Sequence, residues 1–160
     1  MKTVKSGAQK FGSRAVLALT FHVKAVLTPV AFGVSALVED EDSRVLLVRH
    51  SYARGWQLPS GGVAQREAPA HAVLRELKEE VGLQSSEPPE LFGLYTRRVL
   101  WTNNAIALYR VRAARIAFRP NLEIREAMFV DPKCPPDGTT AATLRRLLEL
   151  TGQEPPSVFW

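Results

Sequence analysis

Residues 61–83 read GGVAQREAPAHAVLRELKEEVGL, and this stretch decides the fold. It joins a glycine-rich loop to a helix predicted over 69–81, because proline suits the first helical position and glycine favours a helix end. Residues three and four apart share one helix face, so Glu76, Glu79 and Glu80 are expected to converge. Clustered carboxylates repel one another, and a hard divalent cation such as Mg²⁺ or Mn²⁺ would neutralise them.

The residues around these carboxylates support the same interpretation. Arg75 precedes Glu79 by four positions and is expected to pair with it. The loop 59–62, Pro-Ser-Gly-Gly, allows the backbone to turn sharply or to approach a ligand closely. Glu67 stands just before the helix, where it can approach the same cluster. The alternative is a solvated acidic helix face with one salt pair, which is common in proteins.

With these residues in place, the stretch resembles the Nudix box. That pattern is glycine, five residues, glutamate, seven residues, and then Arg-Glu-apolar-any-Glu-Glu-any-Gly-apolar. Gly61, Glu67 and the segment 75–83 fill every defining position at this spacing. The flanking segments are also similar to the family, so the resemblance covers roughly residues 30–150.

Two positions depart from the family pattern. Related sequences usually have glycine at the position of Ser60 and a Gly-Glu pair where this chain has Arg66-Glu67. A serine still offers its backbone carbonyl to a metal. Arg66 is open to two interpretations, a contact with a phosphate or a site that has drifted from ordinary activity.

The resemblance implies a fold and a reaction. The implied fold is of the α/β (α+β) class, a mixed β-sheet sandwich flanked by α-helices, with the box forming a loop-helix-loop metal site. The implied reaction is attack by water on a phosphorus of a nucleoside diphosphate linked to another group. Nucleoside triphosphates, ADP-ribose and nucleotide sugars are substrates of this type, and Mg²⁺ or Mn²⁺ is the expected cofactor.

The resemblance also assigns roles to residues of the box. Glu67 and Arg75 are expected to orient the metal ligands, and Glu79 is expected to be indispensable. The predicted ligands are three carboxylates and one backbone carbonyl: Glu76, Glu79, Glu80 and Ser60.

The general base is either a box glutamate or a carboxylate from a later loop. Glu123 and Glu126 are the candidates outside the box, and each is equally interpretable as an ordinary surface carboxylate. The predicted catalytic set comprises Glu67, Arg75, Glu76, Glu79, Glu80 and Glu123.

Substrate recognition is expected from residues outside the box. Aromatic side chains can stack on a base, and arginines can bind phosphates with two hydrogen bonds. For each such residue the alternative is ordinary packing or solvation. The predicted substrate contacts are Arg49, Trp56, Arg97 and Trp101. No role is assigned to His50 or His71.

The hydrophobic pattern predicts the remaining elements. Strands at 31–38 and 44–49 flank an acidic turn and are expected to form a hairpin, with the apolar run Val45–Val48 buried on both faces. Further elements are expected as strands at 91–100, 105–112 and 125–131 and as a helix at 140–150. In that helix Leu144, Leu147 and Leu148 are predicted to face inward.

Composition and charge set the context. The chain has 160 residues, a net charge of +5 and one cysteine, Cys134, so it has no intramolecular disulfide. A basic amphipathic segment, 1–28, is expected to precede a Nudix domain at 29–160. Lys24 and Pro29 interrupt the apolar stretch there, so neither a membrane span nor a signal peptide is expected. A cytoplasmic protein that takes a small-molecule nucleotide follows as the simplest interpretation.

The sequence is also compatible with other functions. Residues 1–38 contain no Asp or Glu, which is compatible with removal of pyrophosphate from an RNA 5′ end. The apolar stripe of the segment 1–28 is compatible with a homodimer. A non-catalytic nucleotide-binding regulator would need a degenerate box, whereas this box is complete.

Overall fold

The computed structural model describes residues 31–99 and 102–160. The basic segment 1–28 and Trp101 therefore lie outside the described residues. The described elements are β1 (Phe32–Val38), β2 (Val45–His50), β3 (Ser60–Gly62), α1 (Pro69–Val81), β4 (Leu83–Ser85), β5 (Glu90–Val99), β6 (Thr102–Val111), β7 (Arg115–Ile116), β8 (Ile124–Val130) and α2 (Ala141–Leu150). Neither described helix is long and apolar enough to span a membrane.

A mixed four-stranded sheet forms the centre of the molecule, as predicted. Its strand order is β3-β1-β6-β5, in which β1 and β6 are parallel and the other pairs are antiparallel. Strands β2 and β8 form a second, antiparallel pair, and the short strands β4 and β7 form a third. The strands predicted at 91–100, 105–112 and 125–131 correspond to β5, β6 and β8.

The predicted hairpin between β1 and β2 is wrong. Strand β1 pairs with β3 and β6, while β2 pairs with β8. A single bridge between Glu39 and Val45 joins β1 to β2. The polar turn exists, because the Asp40 carboxylate accepts hydrogen bonds from the backbone N–H groups of Asp42 and Arg44. It passes the chain from one sheet to another, so a local turn signal does not identify the partner strand.

Alternate residues of the strands enter two different cores. From β2, Leu46 and Val48 pack with the buried side of α1, while Val45 and Leu47 pack with Leu147 of α2. All four of these β2 residues are fully buried, which confirms the prediction of a strand covered on both faces. The period of two along a strand therefore produces a sheet layer with one helix on each side.

Helix α1 has the predicted bounds. Pro69 lies in its first turn, and Gly82 ends it in the left-handed conformation with φ of 66°. A Cβ at Gly82 would lie 2.7 Å from the carbonyl oxygen of Ala117, so glycine is required there for space as well as for conformation. The apolar face of α1 is fixed in the core by Val73 and Leu77. That anchoring sets the direction in which the glutamates project.

Helix α2 differs from its predicted inward face. Leu147 is buried as expected, but Leu144 is 37% exposed, and the buried positions next to Leu147 are Arg146 and Glu149. The Arg146 guanidinium donates to the Glu149 carboxylate over 2.7 Å, and the Tyr95 hydroxyl donates to the same carboxylate over 2.8 Å. A buried ion pair therefore replaces part of the expected leucine face.

Replacing Glu149 with alanine is expected to destabilise the fold strongly. It would leave the Arg146 charge buried without its partner, which costs about 3–5 kcal/mol. Glu41→Ala is the matched control, because the Glu41–Arg115 pair is 65% and 71% exposed and such pairs contribute about 0–1 kcal/mol. Urea unfolding of both variants measures the difference. Equal losses of unfolding free energy would contradict this account of the α2 core.

Candidate active site at the loop-helix junction

The Arg75 side chain joins the loop before α1 to the helix itself. Its Nε and Nη2 atoms each donate over 2.9 Å to the Glu67 carboxylate, and Nη2 also donates to the Gly62 carbonyl over 2.9 Å. Nη1 donates to Glu76 over 2.8 Å and to Glu79 over 3.3 Å. The predicted pair with Glu79 is therefore present, as one contact among several.

Glu67 caps the same loop. Its carboxylate accepts hydrogen bonds from Arg75 and from the Ala64 backbone N–H. These bonds favour the ionised form and lower the pKa of Glu67 to about 2. Arg66, immediately before it, has φ of 63°, a conformation that glycine adopts more easily. This backbone angle explains why glycine is usual at the position of Arg66 in the family.

Glu76 lies directly over the backbone of β3. A Cβ added at Gly61 would overlap the Glu76 carboxylate group, whereas a Cβ at Gly62 would have no heavy atom within 4 Å. The absence of a side chain at Gly61 thus allows the carboxylate to approach the loop. Strand β3 is held in place by antiparallel pairing with β1, in which Val34 lies opposite Gly61.

Glu80 points into the protein instead of toward Arg75. Its exposed fraction is 2%, and its carboxylate accepts a hydrogen bond from the Ser60 backbone N–H over 3.2 Å. Burial raises the pKa of Glu80 to about 8; the Ser60 hydrogen bond opposes this shift, and the negative charges of Glu76, Glu123 and Glu79 add to it. Among the described residues, this buried acidic group therefore lies near other carboxylates and contacts no lysine or arginine side chain.

Two further residues near Glu80, His50 and Tyr52, could not be identified as site residues from the sequence pattern. His50 is buried, and its Nδ1 atom lies 4.0 Å from the Glu80 carboxylate without a hydrogen-bond partner among the described residues. Burial lowers the pKa of His50, so the imidazole is neutral near pH 7. Tyr52 packs against it, with the ring centroids 5.0 Å apart. No periodicity distinguishes such a strand-end histidine from an ordinary one.

Glu123 is brought to the same region by the loop before β8. The Ser51 backbone N–H donates to the Glu123 carbonyl over 2.7 Å, so Glu123 lies beside the chain segment that carries His50 and Tyr52. Its negative charge contributes to the raised pKa values of Tyr52 and Glu80. The loop is tied to α1, because the Asn121 side chain donates to the Glu80 carbonyl over 3.0 Å. Glu126 by contrast pairs with Arg49 over 3.2 Å.

A cavity of about 770 Å³ adjoins the glycine loop. Ser60, Gly61 and Gly62 form one side of it, and the Glu76 carboxylate lies against Gly61 of this loop. Its remaining walls combine apolar, aromatic and polar side chains that include Phe32, Tyr52, Arg97, Asn104, Ile106, Thr143 and Trp160. Such a mixture is typical of pockets that bind small organic ligands.

The predicted substrate residues lie in different places. Arg97 lines the cavity. Trp56 is 4% exposed and belongs to the core beside α2, and the Arg49 guanidinium lies 4.8 Å from the centre of its ring. Arg49 lines a smaller hollow together with Arg54. Trp101 lies outside the described residues, and substrate contact by these side chains stays a prediction.

The donor chemistry of the cluster fits a hard divalent cation. The Glu80 carboxylate accepts from the Ser60 backbone N–H, the Glu76 carboxylate lies against Gly61, and Glu79 contacts Arg75. Magnesium and manganese prefer such oxygen ligands. As the side chains stand, no three His, Cys, Asp or Glu groups within 31–99 and 102–160 are arranged to hold a metal ion. Arg75 engages Glu76 and Glu79, and Glu79, which is 58% exposed, has room to move.

Comparison with known proteins agrees with this arrangement. A family model described as NUDIX domain matches residues 29–151, and the chain therefore belongs to the Nudix family. Nudix hydrolases generally use divalent metal ions. The MutT NUDIX hydrolase of Burkholderia pseudomallei superposes with a TM-score of 0.64 at 23% identity, covering 73% of this chain and 95% of that one. The MutT protein of Methanosarcina mazei Go1 gives 0.63 at 23% identity, covering 81% and 98%. These likenesses show the fold.

Curated relatives match over a shorter part. The RNA pyrophosphohydrolase of Hydrogenovibrio crunogenus is 41% identical over 54 residues, which are 34% of this chain and 33% of that protein. The chain thus matches about a third of the length of this relative.

Gly61→Ala is expected to weaken divalent-cation binding without unfolding the protein. The new methyl group would displace the flexible end of Glu76, and repositioning a ligand carboxylate of this kind lowers affinity by about tenfold to 100-fold. Gly62→Ala is the matched control, since nothing lies within 4 Å of its added Cβ. Calorimetric titration with Mn²⁺ measures both. Equal Mn²⁺ affinity in the two variants would remove Glu76 from the ligand set.

Proposed function

We propose that this chain is a metal-dependent hydrolase that cleaves a phosphoanhydride bond in a nucleoside diphosphate linked to another group. The observation that carries the proposal is the position of the carboxylates against the glycine loop. The Glu76 carboxylate lies against Gly61, and the loop that contains Gly61 forms one side of the 770 Å³ cavity. A ligand in the cavity would therefore present its phosphates to the loop against which the Glu76 carboxylate lies.

The box residues divide into ligands and positioning groups. Glu76, Glu79 and Glu80, with the Ser60 carbonyl, would hold Mg²⁺ or Mn²⁺. The bound cations would offset the charge of the phosphates and acidify the attacking water. Glu67 and Arg75 would position the ligand set, because the Arg75 guanidinium contacts both the loop and the helix carboxylates.

Glu123 is the candidate general base outside the box that the geometry favours. Its charge reaches Glu80, whereas Glu126 is engaged by Arg49. A base must lie within reach of the water that attacks phosphorus, and the influence of Glu123 on Glu80, a proposed metal ligand, supports its choice. The box glutamates remain the alternative bases.

Recognition of the nucleotide would come from the cavity walls. Arg97 is the predicted substrate arginine that lines this cavity, where its guanidinium can bind phosphate. We keep Arg49, Trp56 and Trp101 as substrate candidates of lower rank, since Trp56 is buried in the core and Arg49 lies over its ring. A small-molecule nucleotide in the cytoplasm is the expected substrate and setting.

A second candidate substrate is a 5′-triphosphorylated RNA. The specific observation in its favour is that the relative from Hydrogenovibrio crunogenus is named RNA pyrophosphohydrolase. The acid-free basic stretch 1–28 would add attraction to a polyanion. If so, deletion of residues 1–28 will lower turnover of 5′-triphosphate RNA and leave turnover of free nucleotides unchanged. An equal effect on both substrate types would contradict the RNA function.

The proposed activity is tested by phosphate and pyrophosphate release with Mg²⁺ or Mn²⁺. The substrate panel comprises canonical and oxidised nucleoside triphosphates, ADP-ribose, nucleotide sugars, dinucleoside polyphosphates and 5′-triphosphate RNA. Metal-dependent hydrolysis of one class would identify the substrate. Folded protein that hydrolyses none of them would count against catalysis and favour a nucleotide-binding regulator.

Glu79→Gln is expected to abolish nearly all turnover while the fold is kept. Glu79 is 58% exposed, so the substitution does not disturb the core. Loss of a ligand carboxylate should lower kcat by about 100-fold or more, beyond what outer-shell substitutions produce. Glu90→Gln serves as the control, because Glu90 is a comparably exposed glutamate at 61% that pairs with Arg112. Full turnover in Glu79→Gln would contradict the metal-site assignment.

A further inference from the structure

The segment 157–160 lies along the outer strand of the main sheet. The Thr96 backbone N–H donates to the Val158 carbonyl over 2.9 Å, and the Trp160 N–H donates to the Thr96 carbonyl over 3.0 Å. Thr96 belongs to β5, which is the last strand in the order β3-β1-β6-β5. The backbone of this segment thus continues the sheet on its free side.

A buried ion pair of α2 holds the same segment. The Arg146 guanidinium donates to the Phe159 carbonyl over 3.1 Å, and the Glu149 carboxylate accepts from the Ser157 N–H over 2.9 Å. Both charged side chains are at most 1% exposed. Burying a charge pair is unfavourable unless hydrogen bonds satisfy it, so the pair and the segment depend on each other.

These contacts fix the ring of Trp160. It packs edge-to-face against Tyr95, with the ring centroids 5.6 Å apart and an interplanar angle of 78°. The Arg146 guanidinium lies 5.5 Å from the Trp160 ring and 4.1 Å from the Tyr95 ring. The indole ring is therefore held in place by an aromatic contact with Tyr95 and a cation–π contact with Arg146.

Trp160 also forms part of the cavity wall. Phe32 and Ile106 line the same cavity, and the Ser60–Gly62 loop forms another part of its wall. The two residues before Trp160 are different, since Val158 is 65% exposed and Phe159 is 68% exposed. A segment needed only to cover the sheet would not require an indole at the one position that lines the cavity.

We propose that Trp160 is a specificity-determining residue on which the base of the nucleotide stacks. The proposal rests on the proposed function, because it takes the cavity to be the nucleotide site. A ring already fixed by Tyr95 and Arg146 loses little conformational freedom when a ligand binds. Its flat face suits a planar base, while the carboxylate cluster at the Ser60–Gly62 loop suits the phosphates and their cation.

The kinetic test compares Trp160→Ala, Trp160→Phe and Phe159→Ala on nucleoside triphosphates that differ only in the base. Trp160→Ala is expected to raise KM by about tenfold, to leave kcat little changed and to reduce the preference among bases. Trp160→Phe should have a KM close to that of the unmodified chain, because phenylalanine can still stack on the base. Phe159→Ala, which removes an aromatic ring from the same segment outside the cavity, should match the unmodified chain. An unchanged KM and base preference in folded Trp160→Ala would overturn the proposal and leave sheet protection as the role of the segment.

A binding measurement separates this proposal from the proposed function. Nucleoside monophosphates are titrated in the absence of metal while the intrinsic fluorescence is recorded for the unmodified chain and for Trp160→Phe. A saturable quench that Trp160→Phe loses would support stacking, even if no nucleotide were hydrolysed and the catalytic function had failed. Hydrolysis by the unmodified chain, together with a monophosphate affinity that calorimetry finds equal in the unmodified chain and in Trp160→Ala, would overturn the stacking proposal alone.

Discussion

One guanidinium group organises the candidate active site of this molecule. Arg75 donates to the Gly62 carbonyl and to carboxylates on both sides of the loop-helix junction, so the glycine loop and α1 behave as one unit. Without that cation the carboxylates of Glu67, Glu76 and Glu79 would repel one another. The position of the loop in turn defines one side of the cavity.

The same arrangement leaves an excess of negative charge. Arg75 contacts Glu67, Glu76 and Glu79, but Glu80 lies apart from it, buried against Ser60 and beside His50. Burial of a carboxyl group among other carboxylates is unfavourable, and the raised pKa of Glu80 expresses this. A divalent cation would relieve the repulsion, so we interpret the acidic cluster as built for binding and not for stability of the empty fold.

The sequence predicts local features well and non-local partners poorly. The bounds of α1 follow from Pro69 and Gly82. The expected convergence of its glutamates is found only in part, because Arg75 contacts Glu76 and Glu79 while Glu80 turns into the protein. The pairing of β2 with β8 could not be predicted, because a strand that is apolar throughout carries no information about its neighbour. Leu144 was placed inside in error, since the buried Arg146–Glu149 pair depends on Tyr95, a distant residue. The position of His50 beside Glu80 and that of Trp160 in the cavity wall likewise arise from contacts between segments far apart in the chain.

A divalent cation held by Glu76, Glu79 and Glu80 beside Ser60 is what the proposed function requires. Anomalous diffraction from crystals soaked in Mn²⁺ tests it most directly, because the signal locates the ion without reference to activity. We expect an anomalous peak bonded to these carboxylates, with Arg75 still in contact with Glu67. Saturating Mn²⁺ that gives no peak there, or a peak bonded only to other residues, would contradict it.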